Sequence, residues 1–107
     1  MASPLNTFKS VAVNLTTVSN YIYTCPAETT AIILLAQATN VNTNTANVTF
    51  FSSLNSNTEL VKDFSIPTGD AAELLGGKLV VEAGNSVGAF ANTNNHIKLT
   101  LSILETI

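Results

Sequence analysis

Apolar and polar residues alternate along most of this chain in short runs separated by clusters of Asn, Thr, Ser, Gly and Pro. A period of two marks a strand with one buried face, and the punctuating residues are turn formers. On that pattern strands are expected over residues 8–15, 18–25, 29–38, 46–53, 59–65, 78–82, 87–91 and 96–107. The last is the most regular, with Ile97, Leu99, Leu101 and Ile103 opposing Lys98, Thr100 and Ser102. Residues 66–75 allow one helical turn, but Gly76-Gly77 stops it, so the segment reads as a loop with a short strand. About eight or nine short strands with turns between them predict an all-β fold, an antiparallel β-sandwich of jelly-roll or immunoglobulin-like type.

One stretch departs from simple alternation. Between Thr29 and Ala38 the odd positions carry Ala31, Ile33 and Leu35 and the even positions Ile32, Leu34, Ala36 and Ala38. Such a strand is apolar on both faces, which places it at a sheet centre or requires cover from outside the chain. Pro26 bars continuation of the preceding ladder, and the turn at 26–29 is expected to close a hairpin between the second strand and this one. Residues 40–47 form an Asn-rich polar loop. Phe50 and Phe51 are adjacent, so in a regular strand one of them points away from the domain's own core.

The length of 107 residues suits one domain, expected over 8–107, preceded by a short arm at 1–7 that contains Pro4 and Leu5. Charged residues make up 10% of the chain, against about 25% in ordinary soluble domains. The exterior must therefore be mostly neutral, built of Asn, Thr and Ser. A net charge of −3 with scattered Lys9, Lys62, Lys78 and Lys98 argues against nucleic acid as a partner. No run of about 20 apolar residues is present, and the Met-Ala-Ser-Pro start lacks the features of a secretory signal. The expectation is a complete gene product made in a cytoplasm and with no membrane partner.

Candidate chemistry is sparse. His96 stands alone at a turn-to-strand junction, with no acid near it in sequence, and reads as a solvated or backbone-bonded residue. Cys25 is the single cysteine; beside a proline turn it reads as a small buried hydrophobe. Asp70 and Glu73 are too sparse for a calcium loop, and the glycines match no phosphate-binding loop. Two Asn-x-Thr sequons, at Asn14 and Asn47, are expected by chance in so Asn- and Thr-rich a chain. Tyr21, Tyr23, Phe50 and Phe51 offer a possible sugar-stacking platform, with core packing and subunit contact the simpler uses. No enzyme, cofactor or metal is expected.

Five segments carry a resemblance: Tyr23-Thr24-Cys25-Pro26-Ala27-Glu28-Thr29-Thr30-Ala31-Ile32-Ile33-Leu34, Leu60-Val61-Lys62, Ile66-Pro67-Thr68-Gly69, Glu73-Leu74-Leu75-Gly76-Gly77-Lys78-Leu79-Val80-Val81-Glu82-Ala83-Gly84-Asn85 and Leu101-Ser102-Ile103-Leu104-Glu105. Together, over roughly residues 20 to 105, the chain resembles small virion structural proteins of tailed bacteriophages, cyanophages among them. The Asn-rich loop and Cys25 are departures from that pattern. The resemblance implies a framework protein of the virion, synthesised in the host cytoplasm. A capsid decoration or cement protein is the preferred form, self-associating with a trimer favoured and contacting the major capsid protein. A neck or tail ring component contacting tail or neck proteins, or a fibre-associated glycan-binding module, is the alternative. Phe50, Phe51, Pro4 and Leu5 are the expected subunit or shell contacts.

Overall fold

The computed structural model describes residues 6–107. Nine strands, β1 (Asn6–Asn14), β2 (Asn20–Thr24), β3 (Thr30–Asn40), β4 (Ala46–Ser52), β5 (Thr58–Ile66), β6 (Ala71–Glu73), β7 (Leu79–Val81), β8 (Ser86–Ala91) and β9 (Ile97–Thr106), form two antiparallel sheets. One sheet runs β1-β9-β3, with β6 and β7 pairing in turn along the far side of β3; the other runs β2-β8-β4-β5. The chain changes sheets at every connection except β4 to β5 and β6 to β7, which is jelly-roll connectivity. The predicted β-sandwich is therefore the fold, and the short strand expected within 66–75 is β6.

The sandwich interior is built on β9, where Ile97, Leu99, Leu101 and Ile103 point inward and are buried. They share one apolar cluster with Ala31, Ile33, Val48, Phe50, Ile66 and Val87. The doubly apolar stretch is β3, at the centre of its sheet, and its ambiguity has a geometric cause. The β3–β9 register slips between Ile33 and Leu35, where Ile33 faces Ile103 and Leu35 faces Ser102. The extra residue, Leu34, reverses the inward parity. Ala31 and Ile33 are buried before the bulge and Ala36, Ala38 and Asn40 after it, while Ile32, Leu34 and Leu35 face outward.

Most strand bounds shift by one or two residues, and the pairing corrects the expected hairpin and the start of the first strand. The turn at 26–29 closes no hairpin. β2 pairs with β8 and β3 with β9, so Pro26 carries the chain from one sheet to the other. Cys25 spends its backbone groups on the β7–β8 turn, donating to the Asn85 carbonyl at 2.9 Å and accepting from Gly84 N–H at 3.0 Å, which ends β2 there. The first strand starts at Asn6, two residues inside the expected arm, with Asn6 and Thr7 opposite Thr106 and Glu105. The Asn-rich loop likewise crosses between sheets. It is held by buried Asn40, whose Nδ2 donates to the carbonyls of Asn44 (2.8 Å) and Ile66 (2.9 Å) and whose Oδ1 accepts from Asn42 N–H (3.0 Å).

Gly88, in the middle of β8, is required by a close approach. A Cβ there would sit 2.3 Å from the Asn20 carbonyl oxygen and 2.6 Å from Cζ of Phe51. Gly88→Ala is expected to lower stability by about 1–3 kcal/mol, the usual cost of forcing an extra carbon into a filled site. Gly76→Ala, with nothing within 4 Å of its added Cβ, is expected to be near neutral. Urea unfolding midpoints of the two variants check both.

Candidate interaction surface

The aromatic residues expected to make contacts are used inside the chain. Phe50 points into the interior and is fully buried. Phe51 points away from the core, as one of the pair must. It is nonetheless 5% exposed, because Tyr21 and Phe90 lie over it with ring centroids 5.6 and 6.3 Å away. Neither ring offers surface to a neighbour. Pro4 and Leu5 lie outside the described residues. Tyr23 is also buried, so of the four rings considered for sugar stacking only Tyr21 is exposed, its hydroxyl donating to Asn57 Oδ1 at 2.6 Å.

Exposed apolar surface lies instead on the outer face of the β1-β9-β3 sheet, the second face of the doubly apolar β3 stretch, though none of the named contact residues was expected there. Phe8 faces Leu104, Leu104 faces Ile32 and Ile32 faces Val80, giving one cross-strand row over β1, β9, β3 and β7. Phe8 is 74% exposed and Val80 54%, and the bulged Leu34 stands beside the row. The neighbouring positions on one side are Asn6, Thr106 and Thr30, and on the other Ser10, Ser102 and Leu35. No charge stands among them, but the positions flanking Val80 on the same face, just beyond the ends of β7, are the exposed Lys78 and Glu82, so charge borders the row at that end. The sequence signal for this row was available, since Phe8, Ile32, Val80 and Leu104 are all apolar. Only the pairing brings them into line.

The titratable groups that could have carried chemistry hold the sandwich together. Tyr23 donates its hydroxyl proton to Glu105 Oε2 at 2.5 Å, a buried bond between the two sheets, and Lys9 Nζ lies 3.3 Å from Glu105 Oε1. Burial, then the hydrogen bond to Glu105 and the charge of that carboxylate, push the Tyr23 hydroxyl far above its ordinary range. Burial likewise raises the Cys25 thiol, which points at the Thr29 carbonyl (3.2 Å); its hydrogen bond with Tyr23 and the Ala31 backbone oppose that shift only in part. A thiol held protonated is a poor nucleophile.

Glu73 Oε1 accepts from the N–H groups of Ala36 (3.0 Å) and Leu75 (3.1 Å), and so fills the gap along β3 between β6 and β7. Asp70 Oδ1 accepts from Ala71 N–H at 2.8 Å. The two carboxylates thus serve separate backbone sites. His96 keeps a buried Nδ1 without a hydrogen-bond partner among the described residues. No group of three or more His, Cys, Asp or Glu residues is placed to hold a metal there either. A groove of about 260 Å³ opens between the ends of β1 and β2, lined by Val13, Leu15, Val18, Ile22 and Ala89, and holds no titratable cluster.

The fold is shared with a chain of the Bacillus endospore appendages, a family of disulfide-linked pili, at a TM-score of 0.55 and 13% identity over 95% of this chain and 87% of that one. It is shared also with a chain of the T13 IBDV viral particle at a TM-score of 0.57 and 6% identity, over 99% of this chain and 32% of that one. At such identities the likeness is one of fold. No model of a protein family matches the sequence, and no curated protein does.

Two expectations follow from the buried pair. Unfolded Tyr23 ionises near its ordinary 10.0, whereas folded Tyr23 keeps its proton to higher pH. Its stabilising contribution is therefore complete below pH 10 and is lost as pH rises above that value. Tyr23→Phe is expected to lose about 1.5–3 kcal/mol at neutral pH and to show a shallower alkaline decline than wild type, as read by denaturant unfolding across pH. Cys25 is expected to resist a thiol-specific reagent in the native protein at neutral pH and to react at once in guanidinium chloride, a difference that absorbance at the released chromophore measures directly.

Proposed function

We propose that this chain is a non-enzymatic structural subunit that builds into a larger protein particle, and more narrowly a decoration or cement protein on the capsid of a tailed bacteriophage. The observation that carries the reading is the exposed apolar row Phe8, Leu104, Ile32 and Val80, bordered by charge only at its Val80 end, on the outer face of the sandwich. Contiguous exposed apolar surface on a small domain marks a contact with another macromolecule. The row crosses four strands of a rigid sheet, which suits a flat protein neighbour better than a small ligand. Burying a Phe, Leu, Ile or Val side chain contributes roughly 1.5–3 kcal/mol when complete, so a few partly exposed ones repeated by symmetry hold an assembly together.

Other features agree. A chain with 10% charged residues has little electrostatic repulsion between copies. The Tyr23–Leu34 and Glu73–Asn85 segments, which carry the likeness to phage virion proteins, contribute β3, Glu73 and β7, the frame beneath the apolar row. Chains of the same fold come from pili and from a viral particle. On this reading the row meets the major capsid protein, and the chain itself is homo-oligomeric.

Quantitative mass spectrometry of purified particles tests the placement. Hundreds of copies per particle fit a decoration role, whereas about a dozen or fewer fit a neck or tail ring. Leu104→Lys and Val80→Lys alter only outward positions and are expected to leave the fold intact. Each is expected to weaken attachment to particles roughly tenfold to a hundredfold, the equivalent of about 1.5–3 kcal/mol of lost burial. Attachment unchanged in the double variant, measured by co-sedimentation, would remove the row from the interface.

A further inference from the structure

Both sheets have edges, and an edge strand carries unpaired backbone groups that a second strand can bond. Four of the five edges are guarded. β2 has five residues and a register shift between Tyr21 and Tyr23. β5 has two register shifts, a left-handed Asp63 at φ 50° and three charges, Glu59, Lys62 and Asp63. β6 and β7 have three residues each. β1 has none of these protections. Its nine residues pair with β9 in an unbroken register, contain no proline, and include one charge, Lys9, which Glu105 neutralises inside the same chain.

The direction of the β1 backbone groups follows from the ladder. Leu15 N–H bonds to the Ile97 carbonyl at 2.8 Å, so the odd residues of β1 face β9. On the opposite side of β9, Val41 N–H bonds to the His96 carbonyl at 2.9 Å, so the even residues of β9 face β3, as the alternation requires. The N–H and C=O groups of Asn6, Phe8, Ser10, Ala12 and Asn14 therefore point away from the sheet, and no described strand takes them.

We propose that β1 pairs antiparallel with β1 of a second copy, joining the two β1-β9-β3 sheets into one continuous sheet about a twofold axis at Ser10. This rests on the reading of the chain as an assembling subunit and names the contact. An edge with no equally open counterpart among the described residues pairs most simply with its own copy, which makes the contact isologous and the symmetry twofold in place of the threefold ring that the phage resemblance implies. Centred on Ser10, the register uses the whole strand. Asn6 lies opposite Asn14 of the second copy, and Phe8, the largest outward side chain of β1, lies opposite Ala12, the smallest apolar one. All five outward-facing residues of each strand are bonded, with about ten backbone hydrogen bonds across the axis. No charge faces a like charge, and the exposed Phe8 ring gains cover.

Two variants test the pairing. Ala12→Pro removes an N–H that points away from β9 and leaves every bond to β9 in place. Wild type is expected to sediment at twice the 11.2 kDa chain mass and Ala12→Pro at the chain mass, the variant still unfolding cooperatively but at a midpoint that, unlike the wild type's, does not rise with protein concentration. Should the proline unfold the strand, Ser10→Cys decides independently. The axis sets its two thiols on directly opposed residues within disulfide reach, so mild oxidation is expected to yield a covalent dimer, while Thr100→Cys on β9 yields none. A folded Ala12→Pro that remains dimeric, a Ser10→Cys that does not cross-link, or a monomeric wild type overturns the pairing. Particle attachment that persists in any of these cases leaves the structural role standing, so the two readings fail separately.

Discussion

The one-residue bulge in β3 opposite Ile103 and Ser102 is the constraint on which the rest of the arrangement depends. A strand with strict alternation would bury either Ile33 and Leu35 or Leu34 and Ala36, never Ile33 with Ala36. By inserting Leu34 the chain puts Ala31, Ala36 and Ala38 against the interior and leaves that space to Phe50 and the β9 side chains. The same insertion turns Leu35 outward beside Leu34, while Ile32 faces outward by simple alternation with Ile33. One run of residues thus supplies side chains both to the core and to the outer face, where Ile32 joins Phe8, Leu104 and Val80 from neighbouring strands.

Polar residues do structural work throughout. Glu105 receives Tyr23 from the opposite sheet and Lys9 from the neighbouring strand, Glu73 substitutes for a missing stretch of strand, and Asn40 ties the long loop to the end of β5. Asn92 and Asn94 accept backbone N–H groups of Asn47 and Thr17, bonding loops that lie far apart in sequence. In a domain this small, few strands are long enough to satisfy every backbone group by pairing, and short amide and carboxylate side chains close the remainder. What remains on the exterior is largely neutral. Such a surface has little to repel a second copy.

The outer row and the open β1 edge belong to the same sheet, and Phe8 stands on both. A jelly roll can present either feature without the other. Here the longest uninterrupted edge carries the most exposed large side chain, so sheet extension and apolar cover act on one region of surface. The pilus and viral-particle chains share this fold, and identities of 13% and 6% keep residue-level comparison out of reach.

Strand positions were legible in the amino-acid order because side-chain alternation and turn chemistry are local. The pattern located β3, β4, β5 and β9 to within a few residues and identified the class of fold. The burial of Cys25 followed from its neighbours in the same way. Sheet membership was not legible. Pro26 marks the end of a strand equally well before a hairpin or before a crossing between sheets, and the difference lies in Asn85 and Gly84, some 60 residues away. The fate of Phe51 depended on Tyr21 and Phe90, and the alignment of Phe8 with Val80 on three successive pairings. The order of residues determined by itself where the chain is extended and which residues are apolar; tertiary structure alone decided which apolar residues the chain covers, because covering atoms come from segments remote in sequence.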